Sequence, residues 1–214
     1  MGRLRFQISV SLDGYMAGPA QSVEDPLGTG GEALHEWLFE LEAFNDAHGR
    51  EGGLANPSTK VMEAMFDGVG ATVMGRNMFG GGPGPWPEEE WNGWWGQDPP
   101  FHMPVIVLTH YSREVLELEG GNAFHFVTGG IDEALERARE AAGSKDVLIG
   151  GGAETIDQCL AAGEVDDFTL SVVPVLLGDG ARLFAGVEPD RLKLRQTSIV
   201  EAPSVTHISY EVLD

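Results

Sequence analysis

The stretch Val147-Leu148-Ile149-Gly150-Gly151-Gly152-Ala153-Glu154-Thr155-Ile156 decides how the rest of the chain is interpreted. Its three leading apolar residues predict the end of a buried strand, and the apolar spacing after the glycines predicts a helix. A strand that passes through glycines into a helix directs backbone N–H groups and the positive end of the helix dipole at one point. That point suits a phosphate or pyrophosphate, although a tight turn without a ligand has the same sequence signature.

Strands and helices alternate on the N-terminal side of this stretch. We expect strands at 3–10, 71–74, 104–108 and 124–127, with helices at 32–47, from Asn56 to Gly68 and at 131–142. Residues 80–103 contain four of the five tryptophans and predict a long ordered loop, either a lid, a dimer contact or a ring-stacking surface. On the C-terminal side, strands at 165–177, 192–200 and 205–213 have no helix between them, which predicts an antiparallel, hairpin-like end.

This order of elements predicts an α/β fold with a mostly parallel sheet and helices on both faces. No linker, repeat or low-complexity tract divides the chain, so we expect one domain over residues 1–214.

Composition excludes several classes of function. A net charge of −21 argues against nucleic acid and anionic membranes as partners. No apolar run predicts a membrane span and the N-terminus does not resemble a signal peptide, so we expect a cytoplasmic protein. The single cysteine, Cys159, fits a reducing compartment and leaves no cysteine cluster for a metal, and we predict no metal site.

Three predicted strand ends carry groups that suit a phosphorylated ligand: Gly75-Arg76, Thr109-His110 and the glycine run. Parallel strands deliver their carboxyl ends to one edge of the sheet, where ligands bind. Arg76 can hold a phosphate with a bidentate fork, and Thr109 and His110 can hold a second one. Taken singly, Arg76 is equally well a surface cation at a helix end and His110 a solvated loop residue.

Five segments in the same order resemble the dihydrofolate-reductase-like superfamily, and in particular the reductase domain of the bifunctional riboflavin-biosynthesis deaminase-reductase. They are SLDGYMAG at 11–18, VMGRNMF at 73–79, VIVLT at 105–109, IGGGA at 149–153 and VPVLLGDG at 173–180. Each segment is weak evidence alone, but five in order are specific. The resemblance implies a three-layer fold with a mixed, mostly parallel sheet, and NADPH as the hydride donor.

The resemblance also implies roles for individual residues. The cofactor phosphates would lie at the Gly75-Arg76-Asn77-Met78 turn and at the second turn, which comprises Ile149, Gly150, Gly151, Gly152, Ala153, Glu154 and Thr155. Thr109-His110 would hold the adenosine 2′-phosphate, and Ala17 would lie in the loop that covers the nicotinamide. Members of the family often form homodimers, so we expect a homodimer.

The sequence departs from the riboflavin enzymes in two places. The His-x-Glu and Pro-Cys-x-x-Cys signature of zinc deaminases is absent from the sequence. Tyr15 replaces the lysine that commonly follows Asp-Gly in the riboflavin reductases, which puts the phosphoribosyl substrate of 5-amino-6-(5-phosphoribosylamino)uracil reductase in question. The resemblance therefore leaves the acceptor open.

A reductase also needs a proton source or substrate anchor near the nicotinamide. We predict Asp13 for this role because it follows the first strand beside the expected nicotinamide loop, although Asp also favours such turns for its own backbone contacts. Glu36 and Glu40 on the first helix are second candidates, and Trp37 is a candidate for the substrate pocket. Solvated carboxylates and a core tryptophan are the alternatives for these three residues.

The sequence thus favours an NADPH-dependent reductase of a small heterocyclic or carbonyl compound. A non-catalytic NADP-binding or sensor protein on the same fold is the alternative. A Rossmann-type enzyme is disfavoured because Gly150-Gly151-Gly152-Ala153 lacks the spaced glycine fingerprint.

Overall fold

A computed structural model describes residues 2–82, 84–87 and 91–213 of the chain. The strands are β1 (Leu4–Ser11), β2 (Tyr15–Ala17), β3 (Val69–Gly75), β4 (Pro104–Leu108), β5 (Leu116–Glu117), β6 (Ala123–Val127), β7 (Asp146–Gly151), β8 (Asp167–Val173), β9 (Ala181–Arg182), β10 (Lys193–Ala202) and β11 (Val205–Leu213). The α-helices are α1 (Glu36–Phe39), α2 (Glu42–Ala47), α3 (Pro57–Glu63), α4 (Arg76–Phe79), α5 (Ile131–Ala142) and α6 (Ala153–Ala161). Single 3₁₀ turns lie at Gly31–Leu34, Glu119–Gly121 and Pro189–Arg191.

The central sheet joins nine of the described strands in the order β10-β11-β8-β1-β7-β3-β4-β6-β5. The strands from β8 to β6 are parallel to one another, whereas β5, β10 and β11 run antiparallel to their neighbours. This confirms the predicted α/β fold with a mostly parallel sheet and an antiparallel C-terminal pair. The carboxyl ends of β3, β4, β6 and β7 therefore meet at one edge of the sheet.

The two faces of the sheet are covered differently. Helices α5 and α6 pack on one face, where Ile106, Val73 and Ile149 are buried among their apolar residues. The other face is covered by short helices and by the described part of the tryptophan-rich segment 80–103, called the aromatic loop below. Phe79 and Phe124 lie at the centre of a second cluster there. A third cluster joins the 31–44 segment to β8 and β11.

The predicted helix at 32–47 is interrupted. Leu41 is extended, with φ −78° and ψ 135°, and separates α1 from α2. The interruption has a tertiary cause, because the backbone N–H of Leu54 donates to Glu40 O at 2.8 Å and that of Glu42 donates to Leu54 O at 3.2 Å. This pairing with a distant segment takes the place of continuous helical hydrogen bonds.

Among the described residues, no helix combines the length and the apolar character that a bilayer crossing requires.

Candidate functional site

A cleft of about 1300 Å³ opens at the edge where β3, β4, β6 and β7 end. Its wall includes all three predicted strand ends, Gly75-Arg76, Thr109-His110 and Gly150 to Gly152. Ligands of open α/β sheets bind at this edge, because the connecting segments diverge there and leave a crevice. The sequence-based expectation that these separated segments come together is therefore met by the geometry.

The turn after β7 offers backbone donors. Gly150, Gly151, Gly152, Ala153, Glu154 and Thr155 all line the cleft, whereas Ile149 is fully buried behind it. Gly152 is the N-cap of α6, and no side chain caps the helix there. A Cβ built on Gly152 meets no atom within 4 Å, so this end of the helix faces open space. Thr155 N already donates to Gly152 O at 3.1 Å, so the N–H groups that the start of the helix leaves for a ligand are those that precede Thr155.

The turn after β3 lies directly against this one. A Cβ on Gly75 would come within 2.5 Å of Thr155 Oγ1, so glycine is required where the two turns touch. Asn77 is exposed on the wall of the cleft, and Met78 packs its thioether near Gly150 and Gly151. The two predicted turns thus form one continuous surface.

Arg76 lines the cleft, but its guanidinium is already engaged. Nη1 donates to Gly80 O at 2.9 Å, and Nη2 donates to Gly82 O at 3.0 Å and to Gly81 O at 3.3 Å. The guanidinium carbon lies 3.3 Å from the centroid of the Trp86 ring. Burial, followed by the charge of Arg113, lowers the pKa of Arg76 to about 10, so it remains charged at neutral pH.

This arrangement corrects the expectation of a free bidentate fork at Arg76. Its terminal nitrogens hold the carbonyls that open the aromatic loop, whereas Nε is buried without a hydrogen-bond partner in the described chain. An orphaned buried donor is costly, and a bound anion at this wall would relieve it.

The Thr109-His110 pair follows β4 on the same wall. Thr109 is buried, and its Oγ1 accepts the backbone N–H of Tyr111 at 3.2 Å, which fixes the turn. His110 is exposed on the cleft wall. Thr109 therefore shapes this end of the cleft, and the His110 ring remains open to a ligand.

Ala17 and its neighbours also line the cleft. Ala17 ends β2, which pairs with β9, and Gly18 continues along the cleft. The 3₁₀ turn that begins at Gly31 packs under β2, since a Cβ on Gly31 would approach Gly18 N to 3.1 Å. The loop predicted to cover the nicotinamide thus lines the same cleft as the glycine turns after β3 and β7.

Asp13 does not line this cleft. Its Oδ1 accepts from Ser11 Oγ at 2.5 Å and from Leu177 N at 3.2 Å, and its Oδ2 accepts from Gly178 N at 2.7 Å. The Ser11 hydroxyl first, and then the two backbone N–H groups, hold the pKa of the Asp13 carboxyl below its usual range. An ionised carboxylate that ties two loops together is no proton donor near neutral pH, so Asp13 is not assigned the catalytic role that its sequence position suggests.

Trp37 and Glu40 also lie away from the large cleft. With Glu36 they line a separate small cavity between α1 and the 173–175 segment. Trp37 is buried, and its Nε1 donates to Ser9 Oγ and to Leu34 O, both at 3.1 Å. The helix turns its neighbour His35, and not these residues, toward the large cleft. The predicted substrate residues are therefore on the wrong face of α1 to reach a ligand in that cleft.

The aromatic loop is mostly part of the core. Trp86, Trp91 and Trp95 pack against the second apolar cluster, and Trp94 Nε1 donates to Met78 O at 3.0 Å. Trp94 and Trp95 also reach the cleft wall. The described part of the loop covers the sheet, which the predicted roles of lid, dimer contact and ring-stacking surface did not include, and it contributes two rings to the cleft wall.

Several residues of the cleft were missed by the sequence analysis. They are Thr128 and Gly130 after β6, His35 before α1, Asp157 on α6 and Arg182 on β9. The segment after β6 could have been found, because it is a fourth strand end at the same edge. The others depend on tertiary placement, and no local motif marks them. Among the described residues, no group of three His, Cys, Asp or Glu side chains is arranged to hold a metal ion.

Comparisons with known proteins agree with this architecture. The uncharacterized protein YyaP of Bacillus subtilis (strain 168) is 32% identical over 116 residues, which are 49% of this chain and 60% of that protein. This alignment spans about half of the present chain and less than two thirds of YyaP.

Solved structures extend the likeness over the whole chain. A protein of Shewanella sp. PV-4 assigned to riboflavin biosynthesis superposes with a TM-score of 0.65 at 23% identity, over 100% of both chains. Dihydrofolate reductase from Enterococcus faecalis, solved with NADP(H), superposes with a TM-score of 0.55 at 15% identity, over 100% of this chain and 98% of that one. At these identities the likeness establishes the fold.

The sequence model of the RibD C-terminal domain matches residues 3–208, which include every strand end of the cleft. The chain belongs to the RibD C-terminal domain family.

Proposed function

We propose that this protein is an NADPH-dependent reductase that transfers a hydride to a small heterocyclic or carbonyl acceptor. The observation that carries the proposal is the convergence of the Gly75–Met78 turn, the Thr109-His110 pair, the Gly150–Thr155 turn and Ala17 on one cleft. Family membership supports reductase chemistry, and the fold is shared with a dihydrofolate reductase solved with NADP(H).

The cleft fits a phosphorylated dinucleotide. The open N-terminus of α6 at Gly152 suits the pyrophosphate, because it offers backbone donors and a positive dipole end. The unpaired Nε of Arg76 and the exposed ring of His110 are the polar side chains expected to contact a further phosphate. Glu154 in the first turn of α6 lies on the same wall. Because its carboxylate would repel a phosphate, we expect the phosphate over the backbone N–H groups of Gly152 and Ala153.

The bound cofactor would supply the hydride, and the residues of the chain would hold and shield it. Ala17 and Gly18 would cover the nicotinamide, while Trp94 and Trp95 would exclude water from the cleft. Asp157 does not serve as an acid, because its two oxygens accept the N–H groups of Phe184 at 3.0 Å and Gly186 at 2.8 Å. Its task is to fix the 184–186 segment beside the cleft.

The proposal is tested with Gly152→Val. Gly152 has φ −83°, and a Cβ built on it meets no atom within 4 Å, so the new side chain is expected to enter the open cradle. The Kd for NADPH, measured by calorimetry, should rise at least about tenfold, or about 1.4 kcal/mol. Ala162→Val is the matched control, because Ala162 is the exposed C-cap of the same helix and lies outside the cleft.

Turnover is then measured as NADPH oxidation with pteridine, pyrimidine and quinone acceptors. NADPH binding with oxidation by one acceptor class supports the reductase. Tight NADPH binding without turnover of any acceptor would favour the non-catalytic NADP sensor. Absence of NADPH binding by the wild-type protein would overturn the proposal.

A further inference from the structure

The α4 turn and the aromatic loop share an unbroken run of hydrogen bonds. Five successive backbone carbonyls, those of residues 78–82, each accept a hydrogen bond from a side chain. The donors are two indoles of the loop and one guanidinium of the turn, namely Trp94 for Met78, Trp91 for Phe79 and Arg76 for Gly80, Gly81 and Gly82. The turn that lines the proposed phosphate site is thus held by the same bonds that anchor the loop.

Glycine is required where the loop lies against the turn. Gly80 and Gly81 have φ values of 84° and 83°, which favour glycine. A Cβ on Gly80 would come within 2.5 Å of the Trp94 ring, and one on Gly81 within 2.9 Å of the Trp91 ring. The two indoles therefore lie directly on this backbone, and a movement of the turn changes the position of the loop.

Arg76 connects this assembly to the cleft. It lines the cleft, whereas Trp86 and Trp91 pack behind it in the second apolar cluster. Its guanidinium stacks on the Trp86 ring, and the guanidinium carbon of Arg113 lies 5.2 Å from the centroid of the same ring. Trp86 is fixed in turn, because its Nε1 donates to Tyr111 O at 2.9 Å. A ligand that contacts Arg76 in the cleft can therefore act on rings that it does not touch.

One donor of the Arg76 guanidinium remains for such a ligand. Nε is buried and has no hydrogen-bond partner in the described chain, which is costly for a charged group. The nearby charge of Arg113, which contributes to the lowered pKa of Arg76, also favours an anion at this place. A phosphate oxygen at Nε would satisfy this donor while Nη1 and Nη2 keep their carbonyls. A phosphate that took both terminal nitrogens would instead leave the carbonyls of 80–82 without these partners.

We propose that Arg76 couples binding of the cofactor's further phosphate to the hydrogen bonds that anchor the aromatic loop, so that this phosphate stabilises the cleft wall formed by Trp94 and Trp95. The inference rests on the proposed reductase function and describes a control of that same site. A phosphate at Nε favours the arrangement in which the guanidinium holds residues 80–82 and stacks on Trp86. By linkage, an anchored loop that binds the phosphate more tightly is itself stabilised by the phosphate to the same extent.

The test measures hydrogen exchange of the tryptophan indole N–H groups by NMR, with each signal assigned by a Trp→Phe variant. The indoles of Trp86 and Trp91 donate to Tyr111 O and Phe79 O, both at 2.9 Å, so exchange requires these anchors to open. The probes are adenosine 2′,5′-bisphosphate and adenosine 5′-monophosphate, which differ by one phosphate, each at saturation. We expect the bisphosphate to slow exchange at both indoles by at least about fivefold and the monophosphate to leave it unchanged. Trp37 is the internal reference, because its indole is bonded within the third cluster.

Variants test the coupling from both ends. Arg76→Lys keeps the charge but cannot hold three carbonyls and an anion at once, so the bisphosphate should no longer slow exchange at Trp91. Trp86→Leu removes a ring behind the cleft, and it should raise the Kd of the bisphosphate about fivefold without changing that of the monophosphate. Trp86→Phe is the matched control, because it keeps an aromatic face for the guanidinium and should restore part of the affinity. Thermal unfolding shows that each variant remains folded.

Three results would overturn the inference: the bisphosphate binds without slowing exchange, both nucleotides slow it equally, or Trp86→Leu weakens both nucleotides equally. Faster exchange with the bisphosphate would also overturn it, since the phosphate would then compete with the carbonyls of 80–82 for the guanidinium. Failure of the proposed function is distinguishable, because the wild type would then bind neither nucleotide nor NADPH, and both conclusions would fall together. If Trp86→Leu does not fold, the exchange measurement on the wild type still decides the question.

Discussion

Two histidines, the half-buried His35 before α1 and the fully buried His207 on β11, differ in one respect. His207 is fully bonded, with Nε2 at 2.8 Å from Ser58 Oγ and Nδ1 at 2.8 Å from Ser171 Oγ. His35 lines the cleft, and its Nδ1 is buried without a partner in the described chain. Burial lowers the pKa of both rings, to about 4 for His207, while the Gly31 backbone partly opposes this effect at His35.

The difference shows that burial and pKa do not separate a site residue from a core residue. His207 meets the hydrogen-bonding demand of both nitrogens inside the fold, and its ring lies edge-on to Trp37 with centroids 4.9 Å apart. It is a structural residue that joins α3, β8 and β11. His35 has a ring nitrogen to which the described chain offers no hydrogen-bond partner. Such a nitrogen at a cleft wall can bind a polar atom of a ligand.

The largest expected effect is that of His207→Ala on stability. The change leaves Ser58 and Ser171 without their buried partner and opens a cavity beside Trp37. We expect the free energy of unfolding to fall by about 3 kcal/mol, measured by urea denaturation. The control is His110→Ala, which removes an exposed ring and should change stability by less than about 0.5 kcal/mol.

A His207→Ala variant that is as stable as the wild type would contradict this view of the Ser58–His207–Ser171 network. The two serines would then be able to satisfy each other or water, and the distinction between the two histidines would lose its physical basis.

The next effect is a pH dependence of stability. The unfolded chain binds a proton at His207 below its ordinary pKa of 6.5, whereas the folded protein does not bind it until about pH 4. The contribution of neutral His207 is thus complete above pH 6.5 and is lost as pH falls from 6.5 to 4, by up to about 3 kcal/mol. Urea denaturation at several pH values should show this slope in the wild type and a smaller one in His207→Gln, where carboxylate titrations are retained. An unchanged slope would show that His207 is not the group responsible.

The same distinction between used and unused groups explains which site predictions the sequence supports. The sequence indicated the glycine turns because glycine between the end of a strand and the start of a helix usually means that another group lies close to the backbone there. Asp13 and Arg76 carry the right chemistry at plausible positions, yet the Asp13 carboxylate is bound by the N–H groups of Leu177 and Gly178. The two terminal nitrogens of Arg76 are bound to the carbonyls of 80–82, and its Nε alone has no partner in the described chain. A sequence shows which groups are present, but not whether the fold already occupies them.

The fold was more predictable than the site, for a related reason. Helix 131–142 and strand 104–108 appear at their predicted bounds. The spacing of apolar residues within each segment marks the side chains that the segment itself buries, so it can be interpreted without the rest of the chain. The short β2–β9 pair and the break at Leu41 depend on segments far away in the chain. Arg182 reaches the cleft through that β2–β9 pair, so no local pattern could have placed it there.

The smallest expected effect, and the sharpest test of the comparison, is that of His35→Leu on stability. Leucine removes a buried nitrogen that has no partner in the described chain, so the loss of ring packing is offset by relief of an unpaired polar group. We expect the free energy of unfolding to change by less than about 1 kcal/mol, against a loss of at least about 2 kcal/mol for His207→Leu. Urea denaturation of both variants in one buffer gives the difference directly. If His35→Leu were as costly as His207→Leu, the ring of His35 would be a bonded part of the core, and its place on the cleft wall would carry no meaning for ligand binding.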